Sequence, residues 1–260
     1  QPGSLLFWTW SMSLFMAAFV LITAPRIPWG APHAVATLGV VIAAFLFALV
    51  FFASPFRVSP VAPADGQGLN PLLVDPGMLV HPPFLLSGLV STVIPFALGA
   101  AALLSGRLDG AWVRHARGWA LTSFLVLSVG NFLGGWWAYT VLGWGGYWGW
   151  DPVENAAFMP LLVATAFLHS VMIQEKKDMM KVWNMSLVLL TFVMTIFGTF
   201  ITRSGLIQSV HSFDEATLGY IFLGFLLVVV VVSVTMIIKR LPLLKSKNEL
   251  DSFLSRESSF

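Results

Sequence analysis

The strongest constraint on the fold of this chain is a series of long apolar runs that carry no charge. A membrane-spanning helix needs about 20 residues at a rise of about 1.5 Å per residue. Seven runs meet that length, at approximately residues 5–23, 34–53, 83–104, 118–141, 156–173, 184–202 and 217–238. All 14 basic and 12 acidic side chains lie outside them, as the cost of burying charge in hydrocarbon demands. The pattern predicts an all-α, polytopic membrane helix bundle with about seven transmembrane helices.

Composition excludes the main soluble classes of protein. Hydrophobic residues make up 57% of the 260 residues and charged residues only 10%, so we expect one membrane domain over residues 1–260 and no soluble catalytic domain. Cysteine is absent, which excludes disulfides and thiol chemistry within this chain. Because the chain opens on Gln1 and enters an apolar run almost at once, we expect it to be part of a longer protein.

The basic residues predict the orientation in the membrane. Segments 24–33, 105–117, 174–183 and the tail 239–260 share one face and contain twelve of the fourteen Lys and Arg residues. The other face has only Arg57 and Arg203. The positive-inside rule makes the first face cytoplasmic and the tail a cytoplasmic segment, with residues 142–155 on the outer face. The same asymmetry accounts for the net charge of +2 without nucleic acid as a partner.

Residues 134–155 are unusually rich in tryptophan and glycine. Glycine has no Cβ and lets the backbone approach a flat ligand, while indole rings supply broad apolar faces beside it. The segment therefore predicts an external platform for a large planar molecule. It ends in a helix start, because Asp151 is a good N-cap residue, Pro152 suits the first helical position, and Glu154 stands where a capping carboxylate reaches back.

The histidines are candidate ligands for a metal in such a molecule. His81 and His211 fall on outer loops that flank the platform, and imidazoles from two loops could hold a porphyrin iron from both faces. The alternative is that these are ordinary loop histidines and that the tryptophans form an interfacial belt. The density of Trp and Gly between 134 and 150 exceeds what a belt requires.

Two further side chains have open alternatives. His169, inside the fifth span, is either a haem ligand or a hydrogen-bonding partner of a neighbouring helix. The chain has no second mid-span histidine, so an intramembrane haem with two histidine ligands would need one from elsewhere. Arg203 emerges on the outer face shortly before His211. It could pair with a haem propionate or extend to a lipid phosphate.

The Trp-rich segment resembles the WWD signature of haem-handling proteins, and specifically that of the CcmF branch, the haem lyase component of System I cytochrome c maturation. The resemblance covers nearly the whole chain and differs from the shorter CcmC and CcsA relatives after the signature Asp. The segments that carry it are Trp136-Trp137-Ala138-Tyr139, 142–155, 70–83, 168–170 and 198–211.

The resemblance implies haem b at two places. His81 and His211 would be the external ligands of a substrate haem on the platform, and His169 would be one ligand of a permanent transmembrane b-type haem. The second ligand of that haem lies in a part of the family sequence beyond this chain. The other haem contacts expected on the platform are Trp136, Trp137, Trp144, Gly145, Gly146, Tyr147, Trp148, Trp150, Asp151 and Arg203.

The implied activity is that of a cytochrome c haem lyase acting as part of a complex. The resemblance does not imply that this chain is active by itself. The protein would position haem rather than supply a catalytic side chain. The implied partners are haem, a haem chaperone, thiol-handling components of the maturation system, apocytochrome c and membrane lipid. The implied location is the bacterial inner membrane, or its organellar equivalent, with the platform on the periplasmic side.

Two other functions stay open on the sequence. A haem transporter would use the spans as a path, although uniformly apolar spans argue against an aqueous channel. An electron-transfer membrane subunit would use His169 for a b haem and the tryptophans only as interface anchors.

Overall fold

A computed structural model describes residues 2–58, 60–66, 68–209, 211 and 216–246 as a bundle of helices. Within these ranges no strand occurs, as the all-α prediction requires. Short 3₁₀ helices cover Ala24–Arg26, Pro71–Leu73 and Leu241–Leu244. The longer helices are α1 (Pro2–Ile22), α2 (Ala31–Phe51), α3 (Pro76–Ser91), α4 (Val93–Ser105), α5 (Gly110–Val141), α6 (Pro152–Lys177), α7 (Lys181–Arg203) and α8 (Ala216–Arg240).

The described part of the chain contains seven helical segments long and apolar enough to cross a membrane, which confirms the predicted number. The third of them consists of α3 and α4 together, over Pro76–Ser105. Of the predicted tail 239–260, Lys239 and Arg240 close α8 and a 3₁₀ turn follows. Residues 247–260 lie outside the described residues.

The third span is interrupted at Thr92. Pro95, near the start of α4, has no N–H and its ring excludes the carbonyl four residues earlier from a regular helix. Thr92 turns its hydroxyl back to Leu89 O, at 2.7 Å, and also meets the Thr195 hydroxyl of α7 at 3.1 Å. The break is therefore buried and satisfied by hydrogen bonds between helices.

Several helices extend beyond the apolar runs that predicted them. α3 begins at Pro76, capped by Asp75, whose Oδ1 accepts from Gly77 N at 2.7 Å. His81 is consequently a helical residue, and its predicted place on a loop is wrong. The apolar run starts late because Pro82 and Pro83 resemble a helix start, whereas here both lie inside the helix.

The same extension occurs at the opposite end of the bundle. α5 begins at Gly110, capped by Asp109, which accepts from Ala111 N at 3.0 Å. His115, in the segment 105–117 that was predicted to connect two spans, therefore lies on α5. α6 continues to Lys177, so the connection to α7 shortens to 178–180. Charged residues can continue a helix past the hydrocarbon, which a search for apolar runs does not detect.

α3 and α5 approach each other through glycines. A Cβ added to Gly88 would lie 2.7 Å from Leu127 N, and one added to Gly130 would lie 2.6 Å from Leu85 Cα. Gly130 and Gly134 form a G-x-x-x-G pattern, which permits close packing of membrane helices. A Cβ on Gly134 would lie 2.6 Å from His81 Cε1, so this glycine makes room for the imidazole.

A buried polar cluster joins α6 to α7. Asn184 of α7 is 0% exposed, and its Nδ2 donates to Gln174 Oε1 of α6 at 2.8 Å. Ser170 Oγ, also on α6, donates to Asn184 Oδ1. Hydrogen bonds among buried polar groups fix relative orientation, because an unmade bond would leave a desolvated donor or acceptor.

Candidate functional site

A cavity of about 420 Å³ lies where α3 and α6 begin and α5 and α7 end. Its volume falls within the range of about 300–1,000 Å³ typical of small-molecule and cofactor sites. Most of its wall is apolar, and the ionisable side chains that line it are His81, Arg203 and His211. The apolar part includes Trp8, Leu85, Leu86, Leu89 and Trp137.

His81 is held rigidly against α5. Its side chain is buried, and Nδ1 lies 2.9 Å from Gly130 O. The imidazole is nearly parallel to the Trp137 indole, with ring centroids 6.4 Å apart and an interplanar angle of 10°. Three features thus fix the ring: its helical backbone, the carbonyl of Gly130 and the space above Gly134.

His211 reaches the same cavity from the segment after α7. Its Nδ1 lies 3.2 Å from Asp151 Oδ2, at the start of α6. Its backbone N–H donates to Ser209 Oγ at 2.9 Å, and Ser209 Oγ donates to the same Asp151 oxygen at 2.7 Å. The Trp137 ring meets the His211 ring edge-on at 5.6 Å. Trp137 therefore contacts both predicted external ligands.

The hydrogen bonds indicate the tautomer of each imidazole. Gly130 O and the Asp151 carboxylate are acceptors, so Nδ1 of His81 and Nδ1 of His211 must each carry the proton. In the neutral ring Nε2 then has the lone pair, the form in which histidine binds a metal. Metal-binding histidines usually donate the other N–H to a carbonyl or carboxylate in this way. The donor set at this cavity fits haem iron.

The described residues do not form a metal site of their own. Among them, no group of three His, Asp or Glu side chains converges closely enough to hold an ion. Two imidazoles supply only axial positions, so the metal that suits them already has its remaining ligands in a macrocycle.

Arg203 lies in the cavity wall at the end of α7. Its side chain is only 3% exposed, and Nη2 donates to Ser4 Oγ of α1 at 2.7 Å. The guanidinium is therefore enclosed by protein, whereas the lipid-phosphate alternative predicts an exposed side chain. A buried cation beside an apolar cavity provides a partner for an anionic group of a bound ligand.

The Trp-rich segment divides into two parts. Trp137 is buried and lines the cavity. The exposed fractions of Trp136, Trp144, Tyr147 and Trp150 are 41%, 40%, 61% and 77%, and none of these four side chains lines the cavity. Trp148 is half-buried and packs edge-on against Phe158 of α6, at 5.5 Å. The predicted platform is thus one buried indole beside an exposed aromatic loop.

The glycines of this segment have different surroundings. Space beside Gly149 is filled by the Trp144 indole, since a Cβ there would lie 2.8 Å from the ring. Gly145 and Gly146 face open space, and Gly145 has a φ of +70°. The backbone around Gly145 and Gly146 is therefore accessible, whereas Gly134 and Gly149 accommodate side chains of the protein.

The loop is fastened to α6 by the predicted capping box. Asp151 Oδ2 accepts from Val153 N at 3.0 Å, and Glu154 Oε2 accepts from Gly149 N at 2.9 Å and Asp151 N at 3.3 Å. The helix start at Pro152 is confirmed. Asn155 Nδ2 adds a bond to Trp150 O at 3.2 Å, across a Trp150 backbone with φ of +56°.

His169 lies far from the cavity. It is seventeen residues after Pro152 on α6, about 25 Å along the helix axis. The side chain is exposed on the outside of the described bundle, and its Nδ1 lies 2.8 Å from Thr165 O in its own helix. Within the described bundle this bond is to its own helix and not to a neighbouring one, and the tautomer matches that of His81 and His211.

Sequence reasoning missed Ser209 and Gly130 as supports for the two cavity histidines. The G-x-x-x-G spacing of Gly130 and Gly134 was an available signal for close helix packing. No sequence pattern indicates that Ser209 and His211 share one oxygen of Asp151, because that contact joins residues about sixty positions apart.

Comparisons with known proteins agree with one another. Residues 1–210 match the family model described as Cytochrome C assembly protein. The chain is 44% identical over 242 residues to "Cytochrome c-type biogenesis protein CcmF" of Pseudomonas aeruginosa, with 92% of this chain and 36% of the relative covered. It is 43% identical over 233 residues to the protein of the same description from Escherichia coli, with 88% and 36% covered.

A solved structure described as "Cytochrome c Heme Lyase CcmF" has the same fold as this chain. The TM-score is 0.76 at 32% sequence identity, and the match covers 100% of this chain and 38% of that structure. The chain therefore spans little more than a third of the length of the relatives that it matches.

Proposed function

Because the chain belongs to the cytochrome c assembly protein family, we propose that it is the haem-handling membrane portion of a CcmF-type cytochrome c haem lyase. Its role would be to hold haem in the cavity between α3, α5 and α7 for covalent attachment to apocytochrome c. The observation that carries the proposal is the pair of imidazoles on one cavity, each with Nδ1–H bonded to an acceptor.

Haem would enter this site as substrate. Attachment adds the S–H of an apocytochrome cysteine across a haem vinyl group, so one C–S and one C–H bond form and no net oxidation occurs. His81 and His211 would hold the iron through Nε2, and Trp137 would lie beside the ring. Positioning of this kind can remove several kcal/mol from a barrier by fixing reactants in advance.

Arg203 would orient the haem by pairing with a propionate. Its guanidinium is buried in the cavity wall and can make a bidentate contact with a carboxylate. The exposed indoles of Trp144 and Trp150 would cover the part of the ring that extends beyond the cavity, next to the open backbone of Gly145 and Gly146.

His169 would be a ligand of a second, permanent b-type haem within the membrane. The outward position of its side chain supports a binding partner outside this part of the protein. Since the chain covers little more than a third of its relatives, the remaining polypeptide is the natural source of the second ligand.

The cavity would open to the periplasmic side, where haem chaperone, thiol-handling components and apocytochrome c would meet it. Single cysteines in this naturally cysteine-free chain test the orientation. We expect Asp65→Cys to react with a membrane-impermeant thiol reagent on cells with a permeabilised outer membrane, and Arg107→Cys to react only after the inner membrane is opened. The reverse pattern would invert the proposed topology.

Haem content after single histidine replacement tests the proposed ligands. We expect His81→Ala and His211→Ala each to remove the cavity haem from the purified full-length protein, because each deletes one axial ligand. His115→Ala is the matched control, since His115 lies at the far end of α5. Full loading of both cavity variants would overturn the ligand assignment.

A further inference from the structure

We propose that Asp151 is a positioning residue for His211, which acts through one carboxylate oxygen and does not itself contact the bound haem. The inference rests on the proposed function, because it assigns Asp151 a role behind a haem ligand. It also changes the sequence prediction, in which Asp151 was a direct contact of the platform. Among the described residues that line the cavity, His211 is present and Asp151 is not.

One oxygen of Asp151 receives four donors. Val153 N and Glu154 N donate to Oδ2 at 3.0 and 3.4 Å, which caps α6. Ser209 Oγ donates to the same atom at 2.7 Å, and His211 Nδ1 lies 3.2 Å from it. The carboxylate is only 11% exposed, so these donors replace most of its hydration. Oδ2 therefore fastens the His211 segment to the first turn of α6.

The charge of Asp151 distinguishes the two cavity histidines. Nδ1 of His81 faces the neutral carbonyl of Gly130, whereas Nδ1 of His211 faces an ionised carboxylate. A carboxylate behind imidazole raises the basicity of the nitrogen that binds the metal and fixes the ring orientation. His211 is thus the stronger donor of the pair, and its strength depends on Asp151.

Asp151→Asn separates this role from helix capping. Asparagine and aspartate cap helices about equally well, so the variant keeps an acceptor for α6 but loses the negative charge. Asp109→Asn is the matched control, because Asp109 caps α5 through Ala111 N and no hydrogen bond joins it to a histidine among the described residues. A general effect of losing a capping carboxylate would appear in both variants.

The first test measures ferric haem affinity and reduction potential in the full-length protein. We expect Asp151→Asn to weaken haem binding at the cavity by about 10- to 100-fold, the usual loss when a residue behind a metal ligand is replaced. The reduction potential should rise, because a less basic imidazole stabilises ferric iron less. Asp109→Asn should change neither value. Parent-like affinity and potential in Asp151→Asn would overturn the inference.

A double-mutant cycle shows whether Asp151 acts through His211. In a His211→Ala background, Asp151→Asn should produce no further loss of haem affinity, because the residue through which it acts is gone. An equal loss in both backgrounds would mean that Asp151 contacts haem directly or supports the fold, and would overturn the inference. If His211→Ala alone leaves haem affinity unchanged, the proposed function fails instead.

A measurement on the haem-free protein keeps the inference testable by itself. With ¹⁵N-labelled histidine, we expect His211 to show its proton on Nδ1, and Asp151→Asn to lower the share of this tautomer, because a neutral amide oxygen accepts the Nδ1 proton less strongly than a carboxylate does. This result does not depend on haem binding. An unchanged His211 tautomer in a folded Asp151→Asn variant would overturn the inference even if the ligand assignment holds.

Discussion

The two predicted haem regions of this chain are built in opposite ways. At the cavity, His81 and His211 come from segments 130 residues apart, share Trp137 as a neighbour and are fixed by contacts to α5 and α6. His169 is exposed on α6, and its hydrogen bond among the described residues is to Thr165 O of its own helix. The first region has both of its proposed ligands in this chain, and the second has one.

This difference shows that the burial of a histidine indicates whether this chain supplies the surroundings of a predicted ligand. A polar side chain inside a membrane is costly unless it faces protein or a ligand. The described bundle satisfies that condition for His81 but leaves His169 exposed, as we expect if a ligand or further polypeptide covers it. The proposed cavity site would therefore depend on internal packing, and the proposed His169 site on contacts beyond the described bundle.

The largest expected effect is the separate loss of each haem when one of its proposed ligands is replaced. We expect His169→Ala in the full-length protein to abolish the low-spin bis-histidine spectrum of the intramembrane haem while the cavity haem remains. His81→Ala should do the opposite. The reason is distance, since His169 lies about 25 Å along α6 from the cavity end.

The comparison also predicts the behaviour of the isolated chain. Residues 1–260 alone should lack a stable low-spin bis-histidine b haem at His169, and adding the rest of the polypeptide should restore it. A stable bis-histidine haem in the isolated chain that His169→Ala removes would contradict this view of an incomplete site.

Packing behind His81 should have the next largest effect. We expect Gly134→Ala to destabilise the protein by about 1–3 kcal/mol, because the new Cβ would lie 2.6 Å from His81 Cε1 and must displace the imidazole. Haem affinity at the cavity should fall with it, while the His169 spectrum stays unchanged. Denaturant unfolding and haem titration measure the two effects.

Gly118→Ala is the control for Gly134→Ala on the same helix. Nothing lies within 4 Å of a Cβ at Gly118, so alanine there should stabilise α5 by up to about 1 kcal/mol through helix propensity alone. Equal behaviour of the two variants would show that the space beside Gly134 is not what positions His81.

The polar cluster between α6 and α7 gives the corresponding test for His169. Asn184→Leu should destabilise the protein by about 1–3 kcal/mol, because Gln174 and Ser170 lose a buried partner. Ser170 adjoins His169, so the variant should also broaden the signals of the intramembrane haem without weakening the cavity site. Asn131→Ala is the control, since Asn131 Nδ2 bonds to Leu127 O in its own helix at 2.9 Å.

The fold and part of the site were predictable because they depend on local chemistry. Apolar length gave the seven spans, and the Asp151-Pro152-x-Glu154 pattern predicted the start of α6. The helical place of His81 was not predictable from hydropathy, because Pro82 and Pro83 resemble a boundary although Asp75 is the actual cap. The N-cap residue Asp75 starts the helix, although the two prolines suggested a later start.

The division of the Trp-rich segment was beyond the sequence for a different reason. Trp136 and Trp137 are adjacent on α5, yet one is exposed and the other is 3% exposed. Which neighbour faces the cavity depends on the rotation of α5, which Gly130 and Gly134 set by packing on α3. Composition identified the segment, and only the packing of α3 on α5 identified the indole that lies between the histidines.

The smallest expected effect concerns the exposed part of that segment. Trp150 is 77% exposed, does not line the cavity and has a φ of +56°. Trp150→Gly should not lower the free energy of unfolding through the backbone, since glycine accepts positive φ without strain. If its indole covers part of the haem, the variant should weaken cavity haem binding by at most about tenfold, in line with about 0.5–1.5 kcal/mol for one aromatic contact.

Trp137→Phe should lower the haem affinity of the cavity more than Trp150→Gly does, because Trp137 contacts both histidines. Haem titration of the two variants separates the buried indole from the exposed loop. Unchanged haem affinity and unchanged cytochrome c assembly in a Trp144→Ala, Trp150→Gly double variant would limit the platform to Trp137 and leave the exposed tryptophans as interface anchors.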